Sequence, residues 1–287
     1  MMTMYENGEL DSTPVSIIDI DRVSDPQNPL NKELIITPSF STTYLGFNIY
    51  QPPFDDVKVR QAFCMAIDTK LIADRVFLGM AEPAIDGVVP PGMPGYDKDI
   101  SSLPYNPKRA RELIAESKYG SAENLPEVTL YLSGGGGVVL PPISALVEMV
   151  KENLGVEVGI QLVEVTVFLT EISRRPNIYQ LYALGWIADY PDPQNFLEIK
   201  FQSQSRDNQT GYSNPKVDAL LDEASVESDT AKRMELYRQA EEIIVQDAAW
   251  APLWYGTNYY LIKPYVKDLL YPPIVIAKLK YVSLEES

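Results

Sequence analysis

Histidine is absent from this 287-residue chain. That gap removes the usual general base near neutral pH and the commonest ligand for zinc, copper or nickel. Cysteine occurs once, as Cys64 in "RQAFCMAID". No intrachain disulfide can form, no thiolate cluster can hold a metal, and a nucleophilic cysteine would lack a histidine to activate it. The apolar helical pattern around Cys64 makes it a small buried hydrophobe. Positive charge is scarce as well, with 24 Lys and Arg against 40 Asp and Glu, a net charge of −16. Nucleic acid and anionic membrane surfaces are polyanions and so make poor partners. No apolar run approaches the roughly 18 residues of a transmembrane helix. The opening "MMTMYENGELD" lacks the basic and apolar parts of a signal peptide. That leaves a cytoplasmic protein, or a piece whose targeting segment is not in this sequence. The absences weigh against an enzyme: no catalytic set, no metal site and no cofactor is expected, although a carboxylate-dependent hydrolase stays open.

What is present belongs to a folded protein. The hydrophobic share is 45% and the aromatic share 10%, enough for a sizeable core. Short strands are expected at "VSIIDI" and "YLGFNIY". Asp55 or Asp56 caps a helix through "VKVRQAFCMAI", with Val59, Ala62, Phe63, Ala66 and Ile67 on one face. Asp68 or Thr69 caps a second helix that stops at Gly79, and a proline- and glycine-rich loop follows from 82. Pro107, after Asn106, opens another helix. Residues 127–185 are the most regular part: strand "EVTLYLS", helix to Gly155, strand "VEVGIQLVEV", short helix "VFLTEISRRP", strand "IYQLYALGW". This βαβαβ order predicts an α/β fold with parallel strands in a sheet flanked by helices. Asn214-Pro215 starts a further helix, and Thr230 is expected to cap a long one with Met234, Tyr237, Ala240 or Glu241, and Ile244 along one stripe. The aromatic tail from 251 reads as a strand, and "KLKYVSLEE" as a last one.

Four stretches invite chemistry. Gly134–Gly137 lie between a strand and a helix but match no phosphate-loop pattern, and Pro141 and Pro142 intervene; they read as a turn. Asp189 and Asp192 could in principle form a carboxylate pair, but Asp192 stands between two prolines and reads as a turn former. Arg174 and Arg175 end a helix, where positive charge favours the dipole. "GWIADYPDP" (185–193) is the most informative stretch. It places Trp186, Asp189 and Tyr190 where a strand leaves the sheet, and ligands of open α/β sheets sit beyond the carboxyl ends of strands. Its two readings are a core Trp with a turn-capping Asp, or an apolar wall beside a carboxylate that receives an ammonium group.

Several segments, taken together, resemble one family. "YLGFNIYQPPFDDVKVRQAFCMAIDTKLIADRVFLGMAEPA", "YNPKRARELIAE", "GWIADYPDPQNF", "YSNPKVDALLDEA", "RMELYRQAEEIIVQDAAWAPLWY" and "VKDL" follow in order the pattern of extracellular solute-binding proteins of the peptide and nickel importer family. The resemblance implies a type II periplasmic-binding-protein lobe, from subunits whose two lobes close over an extended ligand. It further implies the C-terminal half of such a protein, with 1–44 a first-lobe or hinge remnant, 45–259 the second lobe and 260–287 strands returning to the first. The N-terminal lobe, and any lipid anchor or signal segment, would lie outside this sequence. An oligopeptide ligand, the permease subunits of an ATP-binding-cassette importer and an extracellular or periplasmic location follow by the same resemblance. So do site roles: Asp189 for the peptide's ammonium group with Trp186 beside it, Tyr44 for the peptide main chain, Arg174 for its carboxylate. Some relatives carry a disulfide between positions that correspond to Ser41 and Ile187, and that link is missing here. An oligosaccharide or another small solute on the same fold is the alternative ligand.

Overall fold

The computed structural model describes residues 1–100, 102–134, 137–274 and 279–285. The N-terminal part is a small satellite: α1 (Met2–Glu6), β1 (Ser12–Pro14) and α2 (Ile20–Ser24). Tyr5, Val15, Ile20 and Val23 pack there on Leu261. The strand expected at "VSIIDI" is instead a turn followed by α2. Ile20 and Val23 stand three apart and face inward, a helical spacing hidden in a short apolar run.

The long strand β2 (Leu34–Phe47) follows, then α3 (Val57–Ala66), α4 (Thr69–Arg75), the two-residue β3 (Glu82–Pro83) and α5 (Pro107–Glu116). Asp56, Asp68 and Asn106 cap α3, α4 and α5 through side-chain oxygens that accept helix-start N–H groups. The βαβαβ unit is β4 (Val128–Ser133), α6 (Pro141–Leu154), β5 (Val158–Val163), α7 (Val165–Ile172) and β6 (Leu181–Ile187). Gly155 ends α6 in the left-handed conformation, φ 74°. The chain closes with α8 (Gln194–Phe201), α9 (Pro215–Val226), α10 (Thr230–Gln246), β7 (Trp250–Ile262), β8 (Val266–Lys267) and β9 (Ser283–Leu284). Asp229, not Thr230, caps α10. The strand expected at "KLKYVSLEE" shrinks to a turn at Leu279–Tyr281 and the short β9. Part of the four-glycine turn, and Lys278, lie outside the described residues.

The main sheet is mixed, in the order β1-β7-β2-β6-β4-β5, with β3 on β7. β4 is parallel to β5 and β6, as the sequence pattern predicts, while β2 runs antiparallel to both β6 and β7. Strand alternation sends side chains to two layers. Tyr44, Tyr182 and Trp250 join the aromatic layer under α7, α8, α9 and α10. Leu45, Phe47, Leu130, Leu181 and Ala251 join the layer under α3, α5 and α6. The expected divisions at 44/45 and 259/260 fall inside β2 and β7, which pair from Leu34↔Leu261 to Gly46↔Trp250.

Two consequences position the site. Ser41 lies opposite Ile187 in the β2–β6 register. And β4 pairs with β6 only at Leu181 and Tyr182, so among the described residues no strand borders the other side of Ala183–Ile187.

Candidate functional site

The carboxyl half of β6 is a strand with one open edge. Gly185 and Ile187 are exposed, and Ala183, Leu184 and Trp186 are half-buried. The chain then turns sharply, and the turn is fixed. Buried Ala188 donates its N–H to Phe40 O at 2.8 Å. Asp192 Oδ1 accepts the Gln194 N–H at 3.0 Å and pairs with Arg233 at 2.7 Å, so Asp192 is the turn former its two prolines predict.

Asn195, in the first turn of α8, is fully buried and grips two site residues. Its backbone O and its Oδ1 both accept from Trp186 Nε1 at 2.9 Å. The same Oδ1 accepts the Asp189 N–H at 3.3 Å. The main chain of Asp189 is thereby held while its side chain is exposed, and among the described residues that carboxylate has neither an ion-pair nor a hydrogen-bond partner. Tyr190 is also exposed, its hydroxyl 3.2 Å from Gln194 Oε1. Trp186 near the end of β6, and Asp189 and Tyr190 on the turn just past it, therefore lie within one short stretch of chain.

Beneath the indole sits a cation. Lys200 is 1% exposed, with Nζ 4.1 Å from the centroid of the Trp186 ring. Nζ has no hydrogen-bond partner. Burial pushes this amine down to about 8, with the field of Asp207 acting the other way.

Tyr44 and Arg174 are not brought to this loop. Tyr44 is fully buried, its ring stacked on Trp250 with centroids 3.3 Å apart, and its hydroxyl has no partner. It offers no surface to a ligand, because strand alternation turns it into the aromatic layer. Arg174 follows α7, which returns the chain from the carboxyl end of β5 to the amino end of β6. It is exposed, pairs with Glu171 at 2.8 Å, and precedes β6, whereas Asp189 follows it.

Sequence reasoning missed Asn195 and Lys200. The signal for Lys200 was a cation inside an apolar stripe, Phe196, Leu197 and Phe201, in a helix not anticipated from "QNFLEIKF". On the opposite face of the sheet, two adjoining hollows of about 490 and 380 Å³ share Thr43, Phe77, Leu140, Pro142 and Trp254. The smaller reaches Ala183 and Leu184 of β6.

Comparison with known proteins bears on this geometry. A family model described as "Bacterial extracellular solute-binding proteins, family 5 Middle" matches residues 1–208. A probable di/tripeptide-binding protein of Pseudomonas aeruginosa is 32% identical over 239 residues, covering 80% of this chain and 43% of the relative. A probable deoxycholate-binding periplasmic protein of Escherichia coli is 33% identical over 267 residues, covering 91% and 48%. Among solved structures, the Escherichia coli murein tripeptide binding protein superposes with a TM-score of 0.83 at 25% identity, covering all of this chain and 56% of that one. The chain thus spans about half the length of the curated relatives it matches.

Proposed function

This chain belongs to the bacterial extracellular solute-binding proteins, family 5, and on that premise we propose that it is the C-terminal lobe of a clamshell receptor for short peptides. The observation that carries the reading is the open edge of Ala183–Ile187, ending at the unpaired carboxylate of Asp189. An extended peptide can add to such an edge as a strand, through hydrogen bonds that every sequence possesses. With its first residue at Asp189 it would run antiparallel to β6, and its α-ammonium group would meet a fixed negative charge. The five edge residues from Ala183 to Ile187 give about 16 Å of contact, the length of a short peptide. Trp186, half-buried beside the carboxylate, supplies an apolar wall, and Tyr190 flanks it. Tyr44 and Arg174 are left out of this contact set.

In this reading residues 1–44 and 260–287 lead toward a first lobe, and that lobe covers the exposed Ile17, Ile18, Ile35 and Ile36. The receptor delivers its ligand to the permease of an ATP-binding-cassette importer outside the cytoplasm, and it performs no chemistry. A second reading has one observation in its favour: the apolar hollows beside Thr43 and Trp254 suit a bulky apolar solute of the kind the deoxycholate-binding relative is named for.

Asp189→Asn decides between them. Removing a charge-assisted bond should weaken a free-amine tripeptide by about ten- to a hundredfold and leave its N-acetylated form unchanged, measured by calorimetry. Equal losses for both forms, or none, remove the ammonium anchor and favour the apolar solute.

A further inference from the structure

We propose that the ammonium group of Lys200, buried beneath Trp186, biases the surface at that indole toward acidic ligand groups and against basic ones. The inference deepens the peptide reading and, in its ligand arm, rests on it.

Lys200 is an unusual tenant of a core. Its side chain enters from α8 among Phe196, Leu197 and Phe201, all fully buried. An ammonium in such surroundings normally takes a carboxylate and two or three hydrogen-bond acceptors. This one has no hydrogen bond, and among the described residues no ion pair. Its compensation is the π-face of Trp186 at 4.1 Å and the weaker field of Asp207. Even with its amine pushed down to about 8, Lys200 is mostly protonated at neutral pH.

The same residue is partly exposed at the candidate site, with its Nε1–H already taken by Asn195. A ligand touching it finds a ring whose electrons are drawn toward a cation behind it. A second cation there would lie about 8 Å from Nζ, adding about 4 Å of contact to the 4.1 Å beneath the ring. At an effective dielectric constant of roughly 20 to 40, two like charges at that distance disfavour binding by between about thirty- and fivefold. A ligand anion gains by the same factor. Asp189 stands three residues along, so the loop presents a negative site for the terminal ammonium and a positive field for the group packed on Trp186.

Two measurements test this on the 287-residue chain at pH 7 and low ionic strength. Collisional quenching by iodide and by caesium, with Trp186→Phe used to subtract Trp250 and Trp254, reports the field at the indole without any peptide. Lys200→Met should lower the iodide-to-caesium ratio for Trp186 by about twofold or more, and Lys200→Arg should retain it. Separately, tri-alanine peptides carrying Glu or Lys at each position in turn should show one position where Glu binds at least about twenty-five times more tightly than Lys. Lys200→Met should collapse that ratio to a few-fold at that position alone. Lys200→Gln serves as a second neutral variant, with thermal unfolding confirming that each is folded. An unchanged quenching ratio, or a Glu/Lys preference indifferent to Lys200 at every position, overturns the proposal. If tri-alanine fails to bind the unaltered chain, which is one lobe of the proposed clamshell, the quenching ratio decides on Lys200 by itself.

Discussion

Glu241 offers the sharpest stability test in the molecule. It lies on α10, 1% exposed, where the sequence puts it on the apolar stripe with Tyr237 and Ile244. Its Oε1 accepts the N–H groups of Val88 and Val89 at 2.6 and 2.9 Å, pinning the proline- and glycine-rich loop to the helix. Tyr255 and Thr42 hold the same turn through the carbonyls of Gly87 and Val88. Burial pushes the Glu241 carboxyl up from 4.5 to about 7, against the pull of the two N–H groups. The sign follows from linkage. Below pH 4.5 the group is protonated in both folded and unfolded chains, so its contribution is fully present. Between 4.5 and about 7 the folded protein keeps a proton that the unfolded chain has lost, and stability declines as pH rises. The difference of about 2.5 pH units, at about 1.4 kcal/mol each, gives a loss on the order of 3 kcal/mol by pH 8.

Glu241→Gln keeps an acceptor oxygen for the two N–H groups and removes the titration. Urea unfolding of both proteins from pH 4.5 to 8 isolates the effect, because every other titrating group cancels in the difference. The two should be of similar stability at pH 4.5, and the variant should gain on the unaltered protein by up to about 3 kcal/mol as pH rises to 8. Curves that stay parallel over that range would show that Glu241 binds no extra proton on folding, and the latch would then be an ordinary ionised carboxylate.

Two further outcomes follow from the same contacts. Gly87→Ala should destabilise the fold by about 2 kcal/mol or more, since Gly87 has φ +108° and an added Cβ would lie 2.4 Å from Glu241 Oε1; thermal unfolding with and without Glu241→Gln reads this directly. Asn195→Ala should cost about 1–2 kcal/mol and broaden the Trp186 indole N–H resonance, while Asn195→Asp, which keeps the acceptor, should restore both.

The parts of the fold that could be read in the sequence were those governed by local chemistry. Asp56, Asp68 and Asn106 cap helices because a short oxygen-bearing side chain satisfies free N–H groups within its own turn. Three parallel strands alternating with helices follow from period and length alone. What escaped was decided by distant pairing. Nothing near residue 34 announces that β2 continues to Phe47 and joins β7 along most of its length. Tyr44 lies in a run of mostly buried positions, and its stacking on Trp250 is decided by how β2 pairs with the distant β7. Arg174 entered the site by resemblance alone; in the fold it follows α7, ahead of β6, and pairs with Glu171. At the loop itself, the distinction between Asp189 and Asp192 was readable, because prolines on both sides leave Asp192 little but a turn. The grip of Asn195 was not, since it depends on where a helix starts.

Acids of the C-terminal part show how Asp189 differs from several others in a chain so rich in negative charge. Asp192 is neutralised by Arg233. Asp218 accepts from the N–H and hydroxyl of Ser203, and Asp247 accepts from Tyr212 and Asn214. Each is consumed in fastening one segment to another. Asp189 has its main chain fastened by Asn195 and its carboxylate left over, while Lys200, on the same helix α8 as Asn195, holds an unpaired ammonium against the Trp186 ring. A fold seeking stability alone would let those two charges meet, since pairing would relieve the desolvated cation. Neither charge has an ion-pair partner among the described residues, and that is intelligible if something else supplies the countercharges.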